Sequence, residues 1–303
     1  MIPLRFRPLL SLLIASTCFL GCRDEVPLGS WSKAPGDAGN TPPTLPECLA
    51  STGELGPVTP GGPTTGVTVP YTDFDWPAPF ASIEWEMRVE QEPTTDGTIW
   101  ANQVAFADGS SALVALQARG GFQADPPSGP VVRTKMVQFW ISGPPLEAEL
   151  GDIQYPDARA YQTLQAGSSW WTIDARFDWV TCRAYRLRVE PDTIEPGRGV
   201  WYRGLVIDTE TAVETLIGRI LVPEASGGLT APTTSFSNRI GWTPLIACAD
   251  AEPVSVLFGT PLADGARPES LSRTHRFGDP LACADTRFTV FPDAVRQEVG
   301  FAE

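Results

Sequence analysis

Ile83-Glu-Trp-Glu-Met-Arg-Val-Glu90 decides the fold. Ile83, Trp85, Met87 and Val89 alternate without a slip with Glu84, Glu86, Arg88 and Glu90. A period of two sends one set to a buried face and the other to a wet face, which describes a β-strand covered by protein on one side. The same pattern recurs downstream. Residues 98–106 and 112–117 read as strands parted by Asp108-Gly109. Residues 135–141 are almost continuously apolar, as suits a central strand buried on both faces. Residues 181–189 alternate again, with Tyr185, Leu187 and Val189 on one side and Arg186 and Arg188 on the other. Residues 200–207, 214–222, 253–258 and 287–291 complete a set of about ten short strands.

Composition agrees. The 303 residues include 30 Pro, 28 Gly, 10 Trp and 14 Phe, against 22 Lys plus Arg. Proline at this density interrupts long helices. No stretch after residue 22 keeps a helical apolar period for four turns. The expectation is an all-β domain over residues 67–303, a jelly-roll or concanavalin-like β-sandwich.

The N-terminal end reads differently. Arg5 and Arg7 are followed by an apolar run over residues 9–20 and then by Gly21-Cys22. A basic start, an apolar stretch of this length and a small residue at the cut site describe an export signal over residues 1–21. A Cys placed directly after that site makes the segment resemble a bacterial lipoprotein signal, in which the Cys22 thiol takes the lipid. The apolar run is shorter than a membrane span requires. Residues 22–66 are rich in Pro, Gly, Ser and Thr and poor in large apolar side chains. They are expected to form a disordered tether. The predicted location is therefore outside the cytoplasm, on a bacterial membrane, at an outer membrane or cell surface where the envelope has one.

The formal charge is −14, and removal of residues 1–21 makes it more negative by two arginines. Such an anion repels nucleic acid, so no nucleic-acid partner is expected. A neutral glycan is compatible with it. Calcium is the one cofactor left open, because Asp108, Asp152, Asp157, Asp174, Asp178 and Asp208 lie in or near turns, although no EF-hand-like loop is present.

Cys18 leaves with the signal, and Cys48, Cys182, Cys248 and Cys283 remain for disulfides in an oxidising compartment. The expected pairing is Cys182 with Cys248 and Cys48 with Cys283, with Cys248 to Cys283 as the competitor. Either way Cys48 is placed to pin the far end of the tether. With one His and no CxxC, no zinc site is expected.

Three blocks carry a resemblance. Ser111-Ala-Leu-Val-Ala-Leu-Gln117 precedes Lys135-Met-Val-Gln-Phe-Trp-Ile-Ser142. Phe177-Asp-Trp-Val-Thr-Cys-Arg-Ala-Tyr-Arg-Leu-Arg-Val189 follows. Gly199-Val-Trp-Tyr-Arg-Gly204 then leads into Glu214-Thr-Leu-Ile-Gly-Arg-Ile220. The order is similar to bacterial exported proteins catalogued as domain of unknown function 3472, across roughly residues 75–265. Ala115 stands where that family prefers Gly, and Cys182 stands at the Gly of its Tyr-Arg block. The resemblance implies a lectin-like β-sandwich in an extracellular setting. It brings no established activity and no catalytic residue.

Candidate site residues therefore come from the chain itself. Trp170, Trp171, Trp201 and Tyr202 lie in Gly- or Ser-flanked settings and are the expected stacking platform for a carbohydrate ligand, since sugar C–H faces pack on aromatic rings. Glu84 and Glu86 share a strand face about 6.5–7 Å apart. That spacing falls in the window of roughly 6.5–9.5 Å used by inverting glycosidases. It equally suits a solvated face of Glu–Arg pairs. His275, the one His, lies in Ser272-Arg-Thr-His-Arg276 and reads as a surface-loop residue, and no nucleophile elbow accompanies it. The expectation is a membrane-tethered protein whose sandwich binds carbohydrate or another envelope polymer. A glycan-cleaving hydrolase and a non-catalytic protein-binding scaffold are the alternatives.

Overall fold

The structure, a computed structural model, describes residues 45–49 and 69–300, apart from 77–78, 95–96, 123–131, 145–146, 152, 154, 156–157, 166, 240–251, 269 and 278–285. In chain order the strands are β1 (Val69–Asp75), β2 (Ile83–Gln91), β3 (Thr98–Phe106), β4 (Ser111–Phe122), β5 (Val132–Gly143), β6 (Glu149–Leu150), β7 (Ala158–Gln165), β8 (Ser168–Arg176) and β9 (Ala184–Glu195). They continue with β10 (Gly199–Asp208), β11 (Glu214–Pro223), β12 (Leu229–Arg239), β13 (Val254–Gly259), β14 (Leu262–Ala263), β15 (Ser270–Phe277), β16 (Thr286–Phe291) and β17 (Ala294–Val299).

These strands form a β-sandwich of two antiparallel sheets. One sheet has eight strands in the order β15-β1-β12-β3-β4-β5-β8-β7. The other has nine, in the order β16-β17-β13-β2-β9-β10-β11-β6, with β14 pairing to β2 off that path. The alternation in β2 is realised as read: Ile83, Trp85 and Met87 are fully buried between the sheets, and Glu84 and Glu86 point away. From the facing sheet, Trp100, Val114, Leu116 and Phe139 meet them in one core. Burying each such side chain is worth about 1.5–3 kcal/mol. Trp179 closes the core at one end, edge-on to Trp100 with ring centroids 5.5 Å apart. The sheets approach closely at Gly204, where an added Cβ would lie 2.5 Å from the Phe139 ring carbon Cγ.

β5 is an interior strand in which residues 136–139 and 141 are buried, while Trp140 is partly exposed on the outer face, so the apolar run is not buried throughout on both sides. β7, β8, β12, β15 and β17 extend the sheets beyond the strands read from the sequence. His275 lies in β15, its backbone opposite Tyr71 of β1, rather than in a loop. Pairing to β1 fixes that segment as strand in spite of its polar composition.

The disulfide joins Cys48 to Cys182. This overturns both pairs expected from the sequence, Cys182 with Cys248 and Cys48 with Cys283. The reason is topological. The turn before β9 sits beside the end of β2, where the Cys182 N–H donates to the Val89 carbonyl at 2.8 Å. Residues 45–49 lie along that same outer surface, so Cys182 meets the incoming segment. Cys248 and Cys283 lie outside the described residues. Cys48 does pin the segment that precedes the sandwich, as expected, but to the nine-stranded sheet near its centre.

Candidate functional site

The sandwich has two outer faces, and they differ in chemistry. On the nine-stranded sheet, Glu84 accepts from Arg186 at 3.0 Å and from Arg188 at 2.8 Å. Arg203 donates to Glu190 at 2.7 Å, and Arg219 donates to Asp192 at 3.1 Å. Along β2 the network goes under cover. The Glu90 side chain is fully buried, held by Arg88 at 2.7 Å and by Arg296 at 2.6 Å. Those arginines also donate to the carbonyls of Pro46 and Glu47, which roof this part of the face. Burial pushes the Glu86 carboxyl above its ordinary range, opposed by Arg186. Glu84, Glu90, Glu190 and Asp192 each have an arginine partner, so much of the face is an interlocked, charge-matched surface.

The outer face of the eight-stranded sheet is built from the side chains that alternate away from the core. Strand register aligns one row across it: Tyr71, Phe236, Ala101, Ala115, Gln138, Asp174 and Arg159. Small residues occupy the middle. At one end Tyr71 and Phe236 pack with ring centroids 5.2 Å apart. Burial, with Asp73 nearby, pushes the Tyr71 hydroxyl up to about 12. At the other end stands a polar cluster. Asp174 is buried, at 1% exposure. It accepts from Gln138 Nε2 at 2.8 Å, from Arg159 Nη2 at 2.8 Å and from the Tyr161 hydroxyl at 3.0 Å. Burial raises the Asp174 carboxyl above its ordinary value, and the Arg159 guanidinium works against that shift. Burial and the adjacent Asp174 hold the Tyr161 hydroxyl far above the ordinary range for tyrosine.

One residue row further along the same face, Trp140 of β5 and Trp170 of β8 make an edge-to-face pair, with centroids 5.8 Å apart. Both rings are partly exposed. Two acceptors on this face have no hydrogen-bond partner: Gln138 Oε1 and Asn238 Oδ1, each on a side chain buried to about 5% exposure. The Trp140 indole N–H is likewise unpartnered. Unpaired buried polar atoms are uncommon and ask for an explanation.

The four aromatic residues singled out from the sequence do not converge. Trp170 lies on the outer face of the eight-stranded sheet, and Trp171, its neighbour on the strand, turns inward against the core. Trp201 lies on the other sheet and donates its indole N–H to Glu195 at 2.5 Å. Tyr202 is buried between the sheets, edge-on to Phe106 at 5.1 Å, and cannot stack on an external ligand. The reason is the period of two: adjacent residues on a strand face opposite ways. Trp140, Gln138, Tyr161 and Arg159 are the members of the cluster that sequence reading passed over. The i, i+2 pair Gln138 and Trp140 within an apolar run was the available signal. Of the turn aspartates, Asp108 accepts from Ser110 and Asp208 accepts from Glu210 and Thr211, which are turn roles. Asp174 belongs to the polar cluster, Asp178 is exposed, and Asp152 and Asp157 lie outside the described residues. Among the described residues no group of three His, Cys, Asp or Glu side chains is arranged to hold a metal ion. Cys22 also lies outside the described residues.

No family model matches the chain, and no curated protein does. Solved structures do. Scytalido-glutamic peptidase with a peptide-based transition-state analogue aligns over 77% of this chain and 97% of that chain, at 11% identity and a TM-score of 0.40. The same peptidase with a transition-state analogue inhibitor aligns at 10% identity and a TM-score of 0.39 over the same shares. SCP-B, a member of the Eqolisin family of peptidases in complex with the tripeptide Ala-Ile-His, aligns at 10% identity and a TM-score of 0.37, again covering 77% and 97%. At these identities the likeness is one of β-sandwich fold alone.

Proposed function

We propose that this chain is an exported, membrane-tethered binding protein that holds a carbohydrate polymer on the outer face of its eight-stranded sheet. The observation that carries the reading is the Trp140–Trp170 pair, partly exposed, beside the Gln138–Asp174–Arg159–Tyr161 cluster. Aromatic faces beside a few fixed polar groups are the arrangement that sugar rings require. Among the described residues of the nine-stranded face, Glu84 is taken up by Arg186 and Arg188, and Trp201 by Glu195. The export signal and Cys22 add a membrane attachment through acyl chains. The resemblance to the exported family of unknown function is in keeping with that setting.

The test is glycan-array binding by the full chain, with and without calcium, beside Trp140→Ala/Trp170→Ala and Trp201→Ala. The double variant is expected to lose binding and the Trp201 variant to keep it, both with wild-type far-ultraviolet circular dichroism. Absence of binding by the wild type to every printed glycan overturns the reading and puts a protein-binding scaffold ahead. For the tether, Cys22→Ser is expected to move the protein from the membrane fraction to the soluble fraction.

A further inference from the structure

We infer that Gln138, positioned by Asp174, is a specificity-determining residue that selects a neutral, hydroxyl-bearing glycan chain over an acidic one; this rests on the carbohydrate-binding reading above. The geometry is specific. Gln138 spends its Nε2 on Asp174 at 2.8 Å, which fixes the amide plane. Its Oε1 is then left without a partner inside a side chain at 5% exposure. A buried acceptor left unsatisfied is costly. A ligand hydroxyl that donates to it recovers that cost, which makes the atom a reader of donors.

Charge points the same way. Asp174 is matched by Arg159 within the cluster, and Arg159 is further occupied by the Gly121 carbonyl at 3.0 Å. Within the cluster the Arg159 charge is thus already matched by Asp174, and Arg176, the next outward residue of β8, lies over the Phe122 ring. The second unpartnered acceptor, Asn238 Oδ1, lies on β12, three strands away from β5. That separation is about 14 Å across the sheet. Two donor-seeking atoms so far apart suit a chain of several sugars rather than a single ring. A carboxylate-bearing chain brings acceptors to acceptors, and does so against a protein carrying a formal charge of −14.

The experiment uses calorimetric titration of the full chain with cellohexaose, mannohexaose and xylohexaose as neutral probes and hexagalacturonate as the acidic probe. Wild type is expected to bind at least one neutral probe and to bind hexagalacturonate at least about tenfold more weakly, the equivalent of about one lost hydrogen bond. Gln138→Leu is expected to weaken the neutral probe by about five- to tenfold. Gln138→Glu keeps the side-chain shape if the leucine variant fails to fold, and it is expected to weaken neutral-probe binding at neutral pH. Neutral-probe binding unchanged in a folded Gln138 variant overturns this inference and leaves the binding reading standing. Equal affinity for hexagalacturonate overturns it as well. Failure of wild type to bind any probe overturns both.

Discussion

The two outer faces of the sandwich solve the problem of a solvent-side sheet surface in opposite ways. On the nine-stranded sheet, polar side chains are matched pair by pair: Glu84 with Arg186 and Arg188, Glu190 with Arg203, Asp192 with Arg219, Glu298 with Arg287. Where this ladder reaches Glu90 it is sealed by residues 45–49 and stapled by the Cys48–Cys182 bridge. On the eight-stranded sheet, apolar side chains such as Ile99, Ala101, Leu113 and Ala115 are shielded by their neighbours. A polar cluster there is left with one unpaired acceptor, Gln138 Oε1, near partly exposed indoles, and Asn238 Oδ1 is unpaired three strands away. The nine-stranded face also holds unpaired buried atoms, Nε of Arg88 and of Arg219, but both guanidiniums are bound by carboxylates, so its polar groups serve stability. An unpaired buried acceptor such as Gln138 Oε1 carries a standing cost, and a ligand hydroxyl is one way to offset it.

The sharpest way to break this contrast is at Glu90. Glu90→Ala leaves Arg88 and Arg296 buried and facing each other, and removing one partner of a buried charge network costs about 3–5 kcal/mol. Urea unfolding should show that loss. A change below about 1 kcal/mol would mean that the Pro46 and Glu47 carbonyls suffice for both guanidiniums, and that the carboxylate does not organise the face.

Next in size is the staple. Cys48→Ser opens a bridge between residues 134 apart in sequence, and the expected loss is about 2–4 kcal/mol. Reduction of the wild type with dithiothreitol should bring its unfolding midpoint to that of the variant. If reduction leaves the midpoint in place, the arginine contacts to residues 46 and 47 hold the segment by themselves. Further along the same face, outside the cover of residues 45–49, Glu84→Gln should cost no more than about 1 kcal/mol, because its partners Arg186 and Arg188 remain partly exposed and can rehydrate. The step from Glu90 to Glu84 along one strand thus measures what the covering segment contributes.

How far the sequence revealed these faces depends on what each one used. The ladder was legible in β2 and β9, because strict alternation displays both the buried set and the charged set. Residues 98–106 coincide with β3, set off by the Asp108-Gly109 turn. β17 escaped notice because Gln297 points inward, donating to Thr72 at 2.9 Å and to the Ser235 carbonyl at 3.0 Å, so a polar residue occupies a core position. β12 escaped because its inward residues include Ser235 and Ser237. The polar cluster could not be read at all. It depends on the registers that set Gln138 opposite Asp174 and Asp174 opposite Arg159, and register across three strands is a tertiary fact. The disulfide was missed for a related reason: no spacing in the sequence says that residues 45–49 lie across β2. Cys182 does carry one local mark, a backbone φ of 68°, and that left-handed conformation is one glycine adopts freely.

The smallest predicted effect compares one carboxylate from each face by the sign of its pH response. Asp174 is pushed above its ordinary 3.8 by burial, with Arg159 opposing, so the folded state holds this proton more tightly than the unfolded chain does. Its contribution to stability is therefore greatest below 3.8 and is lost as pH rises through the folded value. Asp192 lies below its ordinary value, chiefly because Arg219 donates to it, so its contribution is present above 3.8 and is lost as pH falls through the folded value. Urea unfolding of wild type, Asp174→Asn and Asp192→Asn between about pH 3 and about pH 7 reads both slopes. The stability of wild type relative to Asp174→Asn should fall as pH rises. Relative to Asp192→Asn it should rise with pH over the acid limb and then level off. The asparagine in each variant changes hydrogen bonding by an amount that does not vary with pH, so the slope isolates the titrating proton. Two slopes of the same sign would mean that Arg159 outweighs burial at Asp174. The polar cluster would then be an ion pair like those on the other sheet, and the difference between the two faces would rest on the unpaired Gln138 and Asn238 acceptors and the partly exposed indoles.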